Sequence, residues 1–361
     1  MIRNLNGMAV EKKRVTAVDE RTGRYQVATG LTKTDLEKLA ANPTTTLIQF
    51  ASPLTNNEID QLEKLVFSRR PDIMLRVWGH HGTVCDLRFV ERLPSVRRIS
   101  ADCLHKANGI ENVVKLKNLE HLGVGIFDLD NFDFLDKINP NLTELSLHQT
   151  KSKKPSINAV SRFSRLKFLY LEDQQKGIEA INQLKNLRRI VLRSISTKNV
   201  NYLEGLADLW NVDIKLGGIK NFDALTSLPN FKYLELWQVR GLSDLNFISK
   251  LKPLQFLFLQ SLAQVEQLPD VASLISLRRV YLENLRALRN LASLRHAPSL
   301  EEFIFVLAQR QQPEDIIPVL ENLQVRSVSC GFGNALKNKR FDELTRQHNK
   351  NKYQYSEFEF N

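Results

Sequence analysis

The sequence predicts an α/β solenoid of short parallel strands stacked coil upon coil, each joined to the next by a return segment on the outer side. Three observations carry this. A six-residue apolar pattern recurs eleven times in 361 residues. Its starts are separated by 23, 23, 24, 21, 22, 22, 23, 23, 23 and 25 residues, a nearly fixed period. Within each unit apolar and polar positions alternate as they do on a strand with one buried face.

The stretch 277–299, LRRVYLENLRALRNLASLRHAPS, shows why the repeat has to be recognised first. Its arginines among leucines look like a basic amphipathic helix. Yet Leu277-x-x-Val280-x-Leu282 returns as Val96-x-x-Ile99-x-Ala101, Leu119-x-x-Leu122-x-Val124 and Leu142-x-x-Leu145-x-Leu147. It returns again as Leu166-x-x-Leu169-x-Leu171, Leu187-x-x-Ile190-x-Leu192 and Leu209-x-x-Val212-x-Ile214. Phe231-x-x-Leu234-x-Leu236, Leu254-x-x-Leu257-x-Leu259, Leu300-x-x-Phe303-x-Phe305 and Val325-x-x-Val328-x-Cys330 complete the set. Val280-Tyr281-Leu282 favours a strand, and the pattern persists where arginines are absent. Positions 4 and 6 of a unit point to one side and position 1 turns inward ahead of them. A lone strand cannot bury all three, whereas stacked coils share one continuous core. Second apolar pairs, such as Leu288 with Leu291 and Phe247 with Leu251, predict an outer return segment of 3₁₀ or short helical turns. Pro229, Pro253 and Pro298 sit at the bend into the next strand, where a missing N–H is tolerated.

This pattern resembles the leucine-rich repeat over residues 72 to 331, closest in unit length to the intracellular 22–23-residue classes. The resemblance implies a horseshoe-shaped solenoid with a concave parallel sheet. The sequence is a divergent member of that pattern. Position 9, where most such repeats carry an asparagine that ties adjacent coils, holds Leu104, Phe127, Thr150, Gln174, Ile195, Gly217, Val239, Leu262 and Leu285. Apolar packing is expected to fill that turn instead.

Terminal coils need covers. Residues 1–71 are read as an N-terminal tail and α/β cap, with capping boxes at Thr34-Asp-Leu-Glu37 and Thr55-Asn-Asn-Glu58 ahead of strand-like runs at Leu47 and Leu75. Residues 1–30 look weakly committed, with a hairpin possible around Thr22-Gly23. Residues 332–361 are read as a C-terminal cap: a short helix from Phe341 to His348, then an aromatic stretch containing Tyr353, Tyr355, Phe358 and Phe360 that closes the sheet edge. The alternative for that stretch is a free strand that adds to a partner's sheet.

Composition bounds the function. Apolar residues make up 42% and charged residues 25%, the balance of a folded soluble protein. The net charge of +11 keeps nucleic acid, anionic membrane and acidic proteins open as partners. There is no apolar signal core and no run approaching the roughly 18 apolar residues of a membrane span. Cys85, Cys103 and Cys330 have no framework spacing and read as free thiols, so a cytoplasmic location is expected. No phosphate loop, nucleophile elbow or zinc-protease motif occurs. Enzyme activity and a cofactor are not expected.

Positions 3, 5 and 7 face the open side. From Phe168 onward they become aromatic and charged: Phe168, Tyr170, Arg189, Arg193, Tyr233, Trp237, Phe256, Phe258, Arg279 and Tyr281 form the candidate partner-binding patch. Strands lie about 4.8 Å apart, so these side chains meet, and Tyr, Trp and Arg dominate binding hot spots. The competing reading is a lateral aromatic ladder that stiffens the sheet. Glu172, Asp213, Glu235, Glu283 and Glu302 share the face, which disfavours phosphate and favours an acidic or mixed-charge protein. The expectation is a monomeric, adaptor-like protein-binding module. An inhibitor or immunity-type protein is the narrower alternative, and nucleic-acid binding through the basic surface is the alternative from another class. A weak metal constellation, His81, His105 and Asp128, recurs at position 10 of the first coils, without a recognised ligand spacing.

Overall fold

A computed structural model describes residues 13–80, 83–152 and 155–361. The chain divides into two compact units, Met1–Leu142 and Thr143–Asn361.

The first unit opens with an antiparallel hairpin, β1 (Val15–Asp19) and β2 (Arg24–Val27), turning at Thr22-Gly23. Gly23 is obligatory there. Its φ is +66°, and a Cβ would lie 1.6 Å from the Thr44 carbonyl oxygen. Two α/β passes follow: α1 (Lys33–Ala41) into β3 (Leu47–Phe50), and α2 (Asn56–Leu62) with one π turn into β4 (Met74–Trp78). Both helices begin in capping boxes. The second is the expected Thr55/Glu58 pair, but the first is Thr32 with Asp35, two residues before the Thr34/Glu37 pair read from sequence. Asp35 reaches both the backbone N–H and the hydroxyl of Thr32, so the helix starts a half-turn early. The short pair β5 (Cys85–Asp86) and β7 (Ala107–Asn108) ties two return segments together. The strands β6 (Arg98–Leu104) and β8 (His121–Ile126) continue the parallel sheet from β4.

In the second unit β9 (Glu144–Leu147), β10 (Phe168–Glu172), β11 (Arg189–Arg193), β12 (Asn211–Lys215) and β13 (Tyr233–Trp237) pair in parallel, in register. β14 (Phe256–Gln260), β15 (Arg279–Glu283), β16 (Glu302–Val306) and β17 (Ser327–Cys330) extend the sheet in the same way. Positions 1, 4 and 6 form the core, as in Leu166, Leu169 and Leu171, each fully buried. The return segments are largely 3₁₀ turns, such as Asp223–Ser227, which delivers Leu225 to the core. Their aromatic residues stack across coils: Phe222 and Phe247 lie 5.0 Å apart. After β17 come α3 (Ala335–Gln347) and β18 (Asn351–Lys352), which pairs with β17.

The missing asparagine ladder has a backbone substitute. The residue after each of β10 to β15, position 8, takes left-handed φ: Asp173, Ser194, Leu216, Gln238, Ser261 and Asn284 lie between +51° and +61°. Each directs its N–H at the carbonyl that ends the next strand, as in Asp173 to Arg193 (2.9 Å), Leu216 to Trp237 (2.9 Å) and Asn284 to Val306 (3.0 Å). The conformation costs a non-glycine residue about 1 kcal/mol, and the inter-coil hydrogen bond returns about the same. Position 9 is then free to be apolar. Leu104, Ile195, Leu262 and Leu285 are buried there, while Phe127 is exposed. Where it is polar, Gln174 donates to the Thr150 hydroxyl (3.2 Å).

Candidate functional site

The two units put different chemistry on the strand face opposite the core. In the first unit it is a closed polar network. Trp78 and Gln49 both donate to Gln26 Oε1 (3.0 and 2.9 Å), and Arg76 Nη1 donates to Gln49 Oε1 (3.0 Å). The Arg76 guanidinium forks onto Asp102, and the Ser100 hydroxyl donates to the same carboxylate at 2.7 Å. Burial pushes the Asp102 carboxyl up, but the Arg76 and Ser100 hydrogen bonds outweigh it and hold it below the usual range. Gly123 and Gly125 leave no room for more: a Cβ on Gly123 would sit 2.4 Å from the Ser100 hydroxyl.

In the second unit all the sequence-predicted patch residues lie on one face. Row 3 aligns Phe168, Arg189, Asn211, Tyr233, Phe256 and Arg279. Row 5 brings Phe258 against Tyr281, ring centroids 4.6 Å apart. In row 7, Arg193 and Lys215 both lean over the Trp237 ring, at 5.7 and 5.8 Å. Three cations are matched: Arg193 pairs with Glu172 (3.0 Å), Lys215 with Glu235 (3.0 Å) and Arg279 with Glu302, while Arg189 lies over the Phe168 and Trp210 rings. The patch is therefore mixed in charge and aromatic at three half-buried rings, Trp237, Phe258 and Tyr281.

Tyr233 and Phe256 are likewise half-buried, and Arg279 is buried rather than open to solvent as read from sequence. Residues 353–361 cover them. The Tyr353 N–H continues the β18 pairing by donating to the Val328 carbonyl (2.9 Å). The chain then turns back across the strands. Phe358 packs on Phe256 (5.2 Å) and beneath the guanidiniums of Arg278 (4.6 Å) and Arg279 (5.0 Å). Phe360 packs on Trp210 (5.0 Å) and Tyr233 (6.2 Å). Arg279 itself is only 5% exposed. The reason is one of length: nine residues beyond the last strand are too many for an edge and reach several coils back.

This contact uses position-2 residues that sequence reasoning left out. Gln255 accepts from the Asn361 N–H (3.0 Å), and Lys232 and Arg278 donate to the carbonyls of Asn361 and Glu359. The only available signal was Trp210, a large aromatic at a strand start. Between this segment and rows 5 and 7 lies a groove of about 770 Å³, lined by Asp213, Phe258, Tyr281, Ile304 and Val306 on the sheet side. At its end, Asn211 Oδ1 and Asp213 Oδ1 are buried with no hydrogen-bond partner among the described residues. Burial and the neighbouring Glu235 charge push the Asp213 carboxyl up to about 7, against the pull of Lys215 and Arg189.

Catalytic and metal chemistry find no such assembly. His81 lies outside the described residues. The His105 ring stacks on exposed Phe127 at 5.7 Å, and among the described residues no three His, Cys, Asp or Glu side chains are grouped to hold a metal. Burial pushes the Cys85 thiol up to about 12 and raises Cys103 and Cys330, so none is a ready thiolate. Among the described residues no helix is long and apolar enough to cross a membrane.

No family model and no curated protein matches the chain. Solved structures do. An internalin of Listeria monocytogenes aligns with a TM-score of 0.57 at 17% identity, over 87% of this chain and 88% of that one. TLR13 in complex with ssRNA13 aligns with a TM-score of 0.54 at 18% identity, over 84% of this chain but 45% of the TLR13 chain, so this chain spans under half of that protein. At such identities the likeness is one of fold. Together with the register of the repeats and the stacked parallel strands, it establishes that the chain has the leucine-rich-repeat solenoid fold.

Proposed function

We propose that the chain is a non-enzymatic binding module that holds a protein partner on the strand face of its second unit. The observation that carries this reading is the groove beside Phe258 and Tyr281, on the same strand face as Trp237 and its two cations. Half-buried aromatics next to paired charges have the composition of a binding hot spot with a polar rim. A purely stiffening ladder would not require the groove. Nucleic acid is the weaker reading, although the TLR13 neighbour was solved with an RNA. Here Arg193, Lys215 and Arg279 are each engaged by a carboxylate, and Glu172, Asp213, Glu235 and Glu302 put negative charge on the same face, which disfavours phosphates.

The test is affinity purification with the wild type and with Trp237→Ala/Phe258→Ala. The double variant is expected to lose partner capture, while unfolding stability falls by only about 1 kcal/mol, the scale of one aromatic pair. A loss of about 3 kcal/mol or more in urea denaturation, with capture retained, would identify a structural ladder instead. Steeply salt-dependent binding to random oligonucleotides would favour nucleic acid.

A further inference from the structure

The segment 353–361 is itself a ligand seated on the face, and it shows what chemistry the face accepts. Resting on the binding-module reading above, we infer that the partner presents an extended segment with two aromatic residues flanking an acidic one, and that it enters by displacing this chain's own Phe358-Glu359-Phe360.

The contact is built as peptide recognition is built. Its backbone is caught by side chains rather than by a sheet edge: Gln255 brackets the N–H and carbonyl of Asn361 (3.0 and 3.4 Å), Arg278 takes the Glu359 carbonyl, and Arg279 takes the Ser356 carbonyl (3.3 Å). These contacts read no sequence. Specificity lies in two aromatic seats, Arg278/Arg279/Phe256 for Phe358 and Trp210/Tyr233 for Phe360. The Phe358 and Phe360 rings lie 4.8 Å apart, about one strand spacing, so rings at i and i+2 fall on neighbouring seats while Glu359 between them is exposed. Glu357 and Glu359 are exposed. They give the segment a negative charge near Lys232 and Arg278, so the complementarity is electrostatic as well as apolar.

The segment is also held in a way that permits exchange. Phe358 and Phe360 are only half-buried, unlike the core phenylalanines Phe231 and Phe303, which are fully buried. Tyr355 is 87% exposed. Tethering supplies an effective concentration on the order of millimolar, so the resident segment should suppress binding of the same sequence in trans until it is released.

The experiment titrates a fluorescent peptide, Tyr-Gln-Tyr-Ser-Glu-Phe-Glu-Phe-Asn, against the full chain and its Phe358→Ala/Phe360→Ala variant, with anisotropy as readout. The variant is expected to bind at least tenfold more tightly than the wild type, and a peptide with both Phe replaced by Ala is expected not to bind. Amide exchange at residues 354–361 should accelerate in the variant while that of β13–β15 is unchanged. Phe360→Ala alone should give the same effect at smaller size. Equal peptide affinity for wild type and variant, or equal binding of the Phe-less peptide, would overturn the inference. The two readings separate cleanly. Failure here with Trp237→Ala/Phe258→Ala still abolishing capture removes only this inference. Peptide binding here with capture unaffected by that double variant removes the proposed function and, with it, the partner's share of this inference, leaving only the displaceable resident segment.

Discussion

Asp102 in the first unit and Asp213 in the second are both largely buried aspartates on strand faces, and they titrate in opposite directions. Asp102 accepts from Arg76 and Ser100, and its carboxyl is held low. Asp213 has one oxygen without a partner, Lys215 3.8 Å from the other, and Glu235 beside it; its carboxyl is raised to about 7. Burial is common to both, so it is not the deciding variable. The difference is whether donors converge on the carboxylate. One face is internally satisfied and closed by glycines. The other retains unspent acceptors, aromatic rings and a groove, the features on which the proposed binding surface rests.

The largest expected effect tests the closed side of that contrast. Asp102→Ala leaves a buried guanidinium without its fork and should cost about 3 kcal/mol at pH 7, measured by urea denaturation. Because the folded carboxyl lies below its ordinary value, its contribution is present above about pH 4 and is lost as the pH falls through the folded value. The gap between wild type and variant should therefore narrow in acid.

Asp213→Asn should do the reverse. The wild-type carboxyl is neutral when folded at low pH, so its burial costs stability only as the pH rises from about 4 through 7. The variant is expected to match the wild type near pH 4 and to exceed it increasingly as the pH rises to 8. A variant equally stable at both pH values relative to wild type would mean that Asp213 finds a donor after all. The smallest effect is Gly123→Ala, about 1 kcal/mol, since the new methyl pushes the Ser100 hydroxyl away from Asp102. Its signature is a raised Asp102 titration midpoint by NMR, which separates a disturbed network from simple overpacking.

Much of the fold was legible in the residues. Leu166, Leu169, Leu171 and their equivalents declare the coil because a buried side chain must be apolar whatever its neighbours are. The candidate rows were legible for the same reason, since alternation leaves positions 3, 5 and 7 facing out. The capping box at Thr32 was misplaced by two residues because Thr34/Glu37 satisfies the same local rule. The position-8 ladder could not be read, because Asp173, Ser194, Leu216 and Gln238 have no side-chain chemistry in common; their N–H groups do the work.

By itself, then, the sequence determined the repeat, its register and which side chains leave the core, all consequences of local periodicity. Only the tertiary structure decided which of those side chains remain accessible. Phe358 lies about a hundred residues from Phe256, and no periodicity links them; the contact exists because stacking brings a distant segment back over the strands. The same holds for Asp102 and Asp213, identical in type, whose different protonation follows from the donors that the fold places around each.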